Sequence, residues 1–192
     1  MATVDISKKQ MIMEAAAKLF RDRGYSATSM RDLAKAVHLQ ASSLYNHIKG
    51  KQEILKEICF HNAHHFLAGI EQIVQEETSP AEQLETLILL HLRVATSDAT
   101  SITSFNDEWR HLEQPELDQF IKLRRRYEAH FRDIIEKGIA EGSFRQVDPN
   151  IVMYTILSSL RWVYDWYRPD RSDSIEQIGQ EIVSLVLKGL QH

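Results

Sequence analysis

Apolar residues recur along this chain at helical spacing, and turn signals cut the repeats into about nine segments. Ile12, Ala15, Ala16, Leu19 and Phe20 repeat at i, i+3, i+4, i+7 and i+8, and Arg21, Arg23 and Gly24 follow them. This predicts a helix over about residues 6–23, with cations at its negative end and a glycine to stop it. Ser29 stands three residues before Asp32. Its hydroxyl is placed to accept an orphan amide, so a short second helix starts there with Leu33, Ala34 and Val37 inward. After His38 to Gln40 a third helix begins near Gln40 or Ala41 and turns Leu44 and Ile48 inward. Lys49, Gly50 and Lys51 break the pattern. The stripe Leu55, Ile58, Cys59, Phe66, Leu67, Ile70, Ile73 and Val74 then predicts a helix of about 25 residues.

Ser79 and Pro80 suit an N-cap and a first helical position. The following stretch, Leu84 to Val94, is apolar on almost every side, which places its helix at the centre of its domain. Ile102 to Arg110 forms a shorter helix. Pro115 opens another, with Leu117, Phe120, Ile121, Tyr127, Phe131, Ile134 and Ile135 inward and Gly138 and Gly142 weakening its end. Asp148 and Pro149 start a helix that reaches Tyr167 and stops at Pro169. Ser174 with Gln177 reads as a capping box for the last helix, which carries Ile175, Ile178, Ile182, Leu185 and Val186. The fold class expected is all-α, with no convincing strand.

Composition narrows the function classes. The 192 residues are 43% hydrophobic and 26% charged, as in an ordinary globular protein. The longest apolar run, Leu87 to Leu92, is far too short to cross a membrane. No basic, then apolar, leader opens the chain, where Asp5, Lys8 and Lys9 stand, so a cytoplasmic location is expected. The single cysteine, Cys59, rules out an intrachain disulfide and falls on an apolar helical stripe, which makes it a core residue. The net charge of −4 is unevenly spread: residues 1–55 carry nine Lys/Arg against five Asp/Glu, and the rest fourteen against twenty-two. A basic first quarter is what a polyanion-binding end requires. No Gly-rich phosphate loop, paired-carboxylate motif or cysteine poised at a helix start supports an enzyme.

The segment 29–51 holds the informative motif. Ser29-Met30-Arg31-Asp32-Leu33-Ala34, Leu39, Ser43-Leu44-Tyr45-Asn46-His47-Ile48 and Lys49-Gly50-Lys51-Gln52-Glu53-Ile54-Leu55, with Gly24-Tyr25 ahead of Thr28, resemble the tetracycline-repressor family of bacterial regulators. The resemblance implies an N-terminal helix-turn-helix DNA-binding domain over residues 1–50 and a ligand-binding and dimerisation domain over residues 51–192, with no cofactor. It implies that Gln40, Ala41, Ser43 and His47 lie on or near the recognition surface in the major groove and that Arg31 reads a guanine edge. It also implies that Tyr45 and Lys51 contact phosphates, with Thr28 and Ser29 adding contacts at a helix start. Two positions depart from the pattern: His38 stands where the turn usually holds glycine, and Ile48 where an aromatic usually follows the histidine. Histidine tolerates a left-handed backbone better than most non-glycine residues, so the turn stays compatible with the sequence.

For the rest of the chain the resemblance implies a homodimer paired through the last two helices, about 150–167 and 174–190, and a small-molecule effector held between helices. Leu160-Arg161-Trp162-Val163-Tyr164-Asp165-Trp166-Tyr167-Arg168-Pro169 looks like the corresponding stretch in family members that respond to acyl-CoA thioesters. On that reading Arg161 or Arg168 pairs with phosphates and Trp162 or Trp166 stacks on an adenine. Phe66, Leu89, Phe105, Trp109, Tyr127, Phe131 and Leu157 are the expected lining, against the plainer reading of the same side chains as core or interface packing. A metal site at His61, His64 and His65 needs further ligands, such as His91, His111 or His130, and the sequence shows no such convergence. An architectural DNA-binding dimer without an effector is the competing function.

Overall fold

In the computed structural model, which describes residues 7–167 and 174–191, Ser7 accepts the amide of Gln10 and starts α1 (Lys8–Arg23). Gly24 ends it at φ 86°, a left-handed conformation that glycine adopts without penalty. In α2 (Met30–Ala36) the Ser29 side chain accepts the Asp32 amide while the Asp32 carboxylate accepts the Ser29 amide, the reciprocal bonding of a capping box. The helix closes through two more bonds: Leu39 donates its amide to Ala34 O and His38 to Lys35 O. This Schellman closure requires a left-handed residue between helix and exit, and His38 supplies it at φ 53°.

The third helix is shorter than its sequence suggests. Only Ala41–Leu44 is regular α-helix (α3), and the chain continues to Ile48 through looser turns: Asn46 N donates to Ser43 O, His47 N to Leu44 O and Ile48 N to Leu44 O. Ser42, Ser43 and Asn46 compete with the backbone for hydrogen bonds, and the Gln40 side chain caps nothing, so little beyond packing holds the turn. Packing is sufficient, because Leu44 and Ile48 are both buried.

The remaining elements are α4 (Lys51–Ile73), α5 (Pro80–Ser97) behind a Ser79–Glu82 capping box, α6 (Ala99–Glu108) with a 3-10 turn at Trp109–His111, α7 (Glu116–Ala140), α8 (Pro149–Trp166) capped by Asp148, and α9 (Ile175–Leu190) capped by Ser174 and Gln177. The described residues thus form nine α-helices and no strand. Gly138 lies within α7 rather than ending it. A methyl group there would meet the Phe144 ring at 2.2 Å, so the ring occupies the space glycine leaves, and Gly142 at φ 75° makes the turn that follows. Pro169, the expected stop after α8, lies outside the described residues.

By contacts the chain forms two units, residues 1–63 with 100–121 and residues 64–99 with 122–192. The first is built on Ile12, Phe20, Leu33, Leu44, Ile48, Ile54, Leu55 and Phe120, all buried. Asn62, also buried, donates to Ile58 O and Ser101 Oγ, and Ser104 Oγ donates to Ala17 O at 3.0 Å, so these interior polar groups are satisfied. Cys59 is core as expected, and burial pushes its thiol pKa up to about 12. In the second unit α5 is central, packed on α8 and α9. α9 approaches closely at Gly179, where a methyl group would stand 2.7 Å from Leu89 Cδ2. The inner faces of α8 and α9 supply Met153, Ile156, Leu160, Val163 and Val183 to this core. Each large apolar side chain so buried contributes about 1.5–3 kcal/mol.

Candidate nucleic-acid interface and effector site

The first unit presents an outward surface on α2 and α3. Arg31, Gln40, Ala41 and Tyr45 are exposed, Tyr45 by 55%, and Ser43 and His47 partly so. Leu44 and Ile48 are buried, so Tyr45 and His47 between them turn outward. Arg31 makes no hydrogen bond or ion pair with the described residues, and its guanidinium fork is available. Lys35 and Lys49 are also exposed and keep the surface cationic.

Three other expected DNA contacts are held differently. Thr28 is 1% exposed, and its hydroxyl donates to Gly24 O at 2.9 Å, closing the turn after α1 and leaving no side-chain donor for a phosphate. The Ser29 hydroxyl is exposed and shared with Asp32, whose pKa it lowers together with the Ser29 amide. Lys51 donates from Nζ to Tyr25 O at 2.7 Å with its ammonium 4.2 Å from the centre of the Tyr25 ring, and desolvation lowers its pKa. An ammonium has three donors, so this anchoring leaves two.

The side chains expected to line an effector site fall into two groups. Phe105 and Trp109 belong to the first unit, where both pack on Phe120 with ring centres 5.7 and 5.5 Å away. Phe66, Leu89, Tyr127, Phe131 and Leu157 belong to the second. There Phe66 and Tyr127 pack against His91, and Phe131 packs against Tyr127. Phe66 stacks on the imidazole with centroids 4.5 Å apart, and Tyr127 meets it edge-on at 5.8 Å. A histidine set among the leucines and isoleucine of Leu87 to Leu92 is the signal the sequence carries. Leu89 is committed to packing against α9. Arg161, Trp162 and Trp166 are exposed on α8, and Arg168 lies outside the described residues.

The outward faces of α8 and α9 keep large apolar side chains in solvent: Ile151, Tyr154, Trp162 at 65% and Leu185 at 71% exposure. Trp166, Ile178, Ile182 and Leu185 line a groove of about 460 Å³ between these helices, with Gln177 and Glu181 at its edge. Large apolar side chains left in solvent in this number mark an association face. Among the described residues no three His, Cys, Asp or Glu side chains converge to hold a metal: His61, His64 and His65 are exposed along α4, His111 faces Glu108 and His130 faces Glu71. No helix among the described residues is long and apolar enough to cross a membrane.

Residues 12–58 match the model of the tetR family of bacterial regulatory proteins, and residues 77–190 match that of the tetracyclin repressor-like C-terminal domain. The chain belongs to the tetracycline-repressor family. The regulator is 31% identical over 188 residues to the HTH-type transcriptional repressor KstR2 of Mycolicibacterium smegmatis, covering 96% of this chain and 91% of that one. Its fold superimposes on the ketosteroid transcriptional regulator KstR2 of Mycobacterium tuberculosis with a TM-score of 0.90, at 27% identity over 99% and 97% of the two chains. It also superimposes on AibR in complex with isovaleryl coenzyme A and operator DNA, with a TM-score of 0.80, at 26% identity over 93% and 97%. The regulator is therefore a sequence-specific DNA-binding transcriptional regulator that acts as a homodimer, and not an enzyme.

Proposed function

We propose that the regulator is a cytoplasmic repressor that leaves its operator when a small hydrophobic effector of the acyl-CoA thioester class binds its C-terminal domain. The division of labour falls near residue 50: residues 1–50 read DNA, and residues 51–192 bind the effector and pair the subunits. The observation that carries the DNA half is the surface around α3. Gln40, Ala41, Ser43, Tyr45 and His47 face outward, as does Arg31, which has no partner among the described residues, while Leu44 and Ile48 lock the same turn to the core. A rod of that size fits the major groove; Arg31 donates its fork to a guanine, and Tyr45 and Lys51 hold phosphates. One such rod covers few bases, so two are needed, and the apolar faces of α8 and α9 provide the pairing surface.

AibR, whose crystals hold isovaleryl coenzyme A together with operator DNA, supports the effector class. So does the aromatic and cationic end of α8, where Arg161 faces out beside Trp162 and Trp166. Gel-shift titration of DNA from upstream of the regulator's own gene, with and without decanoyl-CoA, tests the reading. Specific binding that decanoyl-CoA weakens is expected. Specific binding indifferent to every acyl-CoA fits an architectural dimer instead, and absence of specific binding at moderate salt contradicts the proposal.

A further inference from the structure

His91 on α5 and Tyr127 on α7 both belong to the second unit, and His91 Nε2 stands 2.5 Å from Tyr127 Oη. Aromatic rings flank the pair. Phe66 stacks on the imidazole and meets the phenol edge-on at 6.3 Å, and Phe131 lies edge-on to Tyr127 at 6.2 Å. Phe66 and Tyr127 are 7% and 9% exposed, whereas His91 keeps more of its surface accessible. Burial lowers the imidazole pKa to about 4 and raises that of the phenol, so at neutral pH both groups are uncharged.

Counting protons exposes a remainder. A neutral imidazole has one N–H and a phenol one O–H, which makes two donors, and the bond between them consumes one. When the phenol donates to Nε2, the imidazole proton sits on Nδ1 and is unspent. When Nε2–H donates to the phenol oxygen, the phenol proton is unspent. Neither side chain makes another hydrogen bond to the described residues. His91 itself is only part-buried, so its ring borders accessible space.

We propose that the His91–Tyr127 pair is the polar anchor of the effector site, donating one hydrogen bond to an uncharged carbonyl oxygen of an otherwise apolar ligand. The inference rests on the effector reading above and names the group that is recognised. The pair offers a donor but no charge. A carboxylate would lose its hydration there without gaining a counter-charge, and a bare hydrocarbon would leave the donor unpaired. A thioester or ester carbonyl attached to an alkyl chain satisfies the donor, and the chain meets the rings of Phe66 and Phe131.

The test compares two ligands that differ at one group, decanoyl-CoA and its thioether analogue decyl-CoA, by isothermal titration of the full-length protein. Wild type is expected to bind the thioester roughly five- to tenfold more tightly, the worth of one buried hydrogen bond. The double variant His91→Phe/Tyr127→Phe keeps the ring volumes and loses both donors, and its ratio is expected to fall to about one. The ratio is internal to one protein sample, so partial loss of folded protein cancels from it. Should the double variant fail to fold, His91→Phe and Tyr127→Phe are made singly, and the one that removes the ligand-facing donor is expected to lower the ratio at least about threefold. A wild-type ratio near one, or a wild-type ratio retained by these variants, overturns the proposal. If neither coenzyme A compound binds, the acyl-CoA reading falls, and the same ratio is taken with methyl octanoate against methyl octyl ether. An ester preference that the variants abolish upholds the anchor, and equal binding or none overturns it.

Discussion

Gln52 donates from Nε2 to the backbone carbonyl of His111 at 2.7 Å, joining the first turn of α4 to the 3-10 turn that follows α6. The same amide group donates to the Tyr25 hydroxyl at 2.9 Å, and its oxygen accepts the Glu113 amide at 3.3 Å. The Tyr25 ring stacks on His111 with centroids 5.3 Å apart. One side chain thus spends both donors and its acceptor on tying the end of α6 to the base of the helix-turn-helix. Gln52→Ala is expected to lower unfolding stability by about 1–3 kcal/mol, measured by urea denaturation, because it leaves the Tyr25 hydroxyl and two backbone groups without their partner.

Arg31 and Lys51 are expected to fail differently when truncated. Arg31 is exposed and holds nothing within the described residues, so Arg31→Ala leaves the melting temperature in place. It relaxes preference at one base pair by about 1–3 kcal/mol, read by competition binding with single-base operator variants. Lys51→Ala also removes the bond to Tyr25 O. It therefore lowers the melting temperature, weakens binding to every sequence and reduces the salt slope by about one.

His38 holds the left-handed position of the Schellman turn between α2 and α3. A β-branched side chain is strained there, so His38→Val is expected to destabilise the protein by about 1–2 kcal/mol, while His38→Gly is neutral or stabilising. Thermal denaturation by circular dichroism ranks the three proteins.

Much of this architecture is legible in the residues themselves. The i, i+3, i+4 stripes and the caps Ser29–Asp32, Asp148 and Ser174–Gln177 locate helices because both act over one or two turns of chain. The brevity of α3 is harder to read, since its burial signal at Leu44 and Ile48 is that of a full helix while Ser43 and Asn46 loosen its backbone. Thr28 matched a motif position for phosphate contact but spends its hydroxyl on Gly24 O, an outcome set by how the turn closes. The Gln52–His111 bond spans 59 residues and the His91–Tyr127 bond 36, and pairings of that range have no periodic signature.

The neutral state of His91 carries a pH dependence. Its folded pKa of about 4 lies below the unfolded value near 6.5, so the unfolded chain binds more protons between those values. Stability conferred by the neutral ring is therefore complete above about pH 6.5, declines as pH falls toward 4 and is exhausted below it, a loss of about 3 kcal/mol. Urea unfolding at a series of pH values should show this decline in wild type and a flatter profile in His91→Phe. Asp32, Glu82 and Glu116 have lowered carboxylate pKa values, and their contributions are lost at lower pH.

The most direct test of the central claim, that the exposed rod around Tyr45 reads base edges twice through a symmetric pair of chains, is hydroxyl-radical footprinting on DNA from upstream of the regulator's gene. The account predicts two protected half-sites related by a dyad, both lost in a Gln40→Ala/Tyr45→Ala variant that still elutes as a dimer. A single protected patch, or protection spread evenly along the fragment and unchanged in that variant, would contradict it.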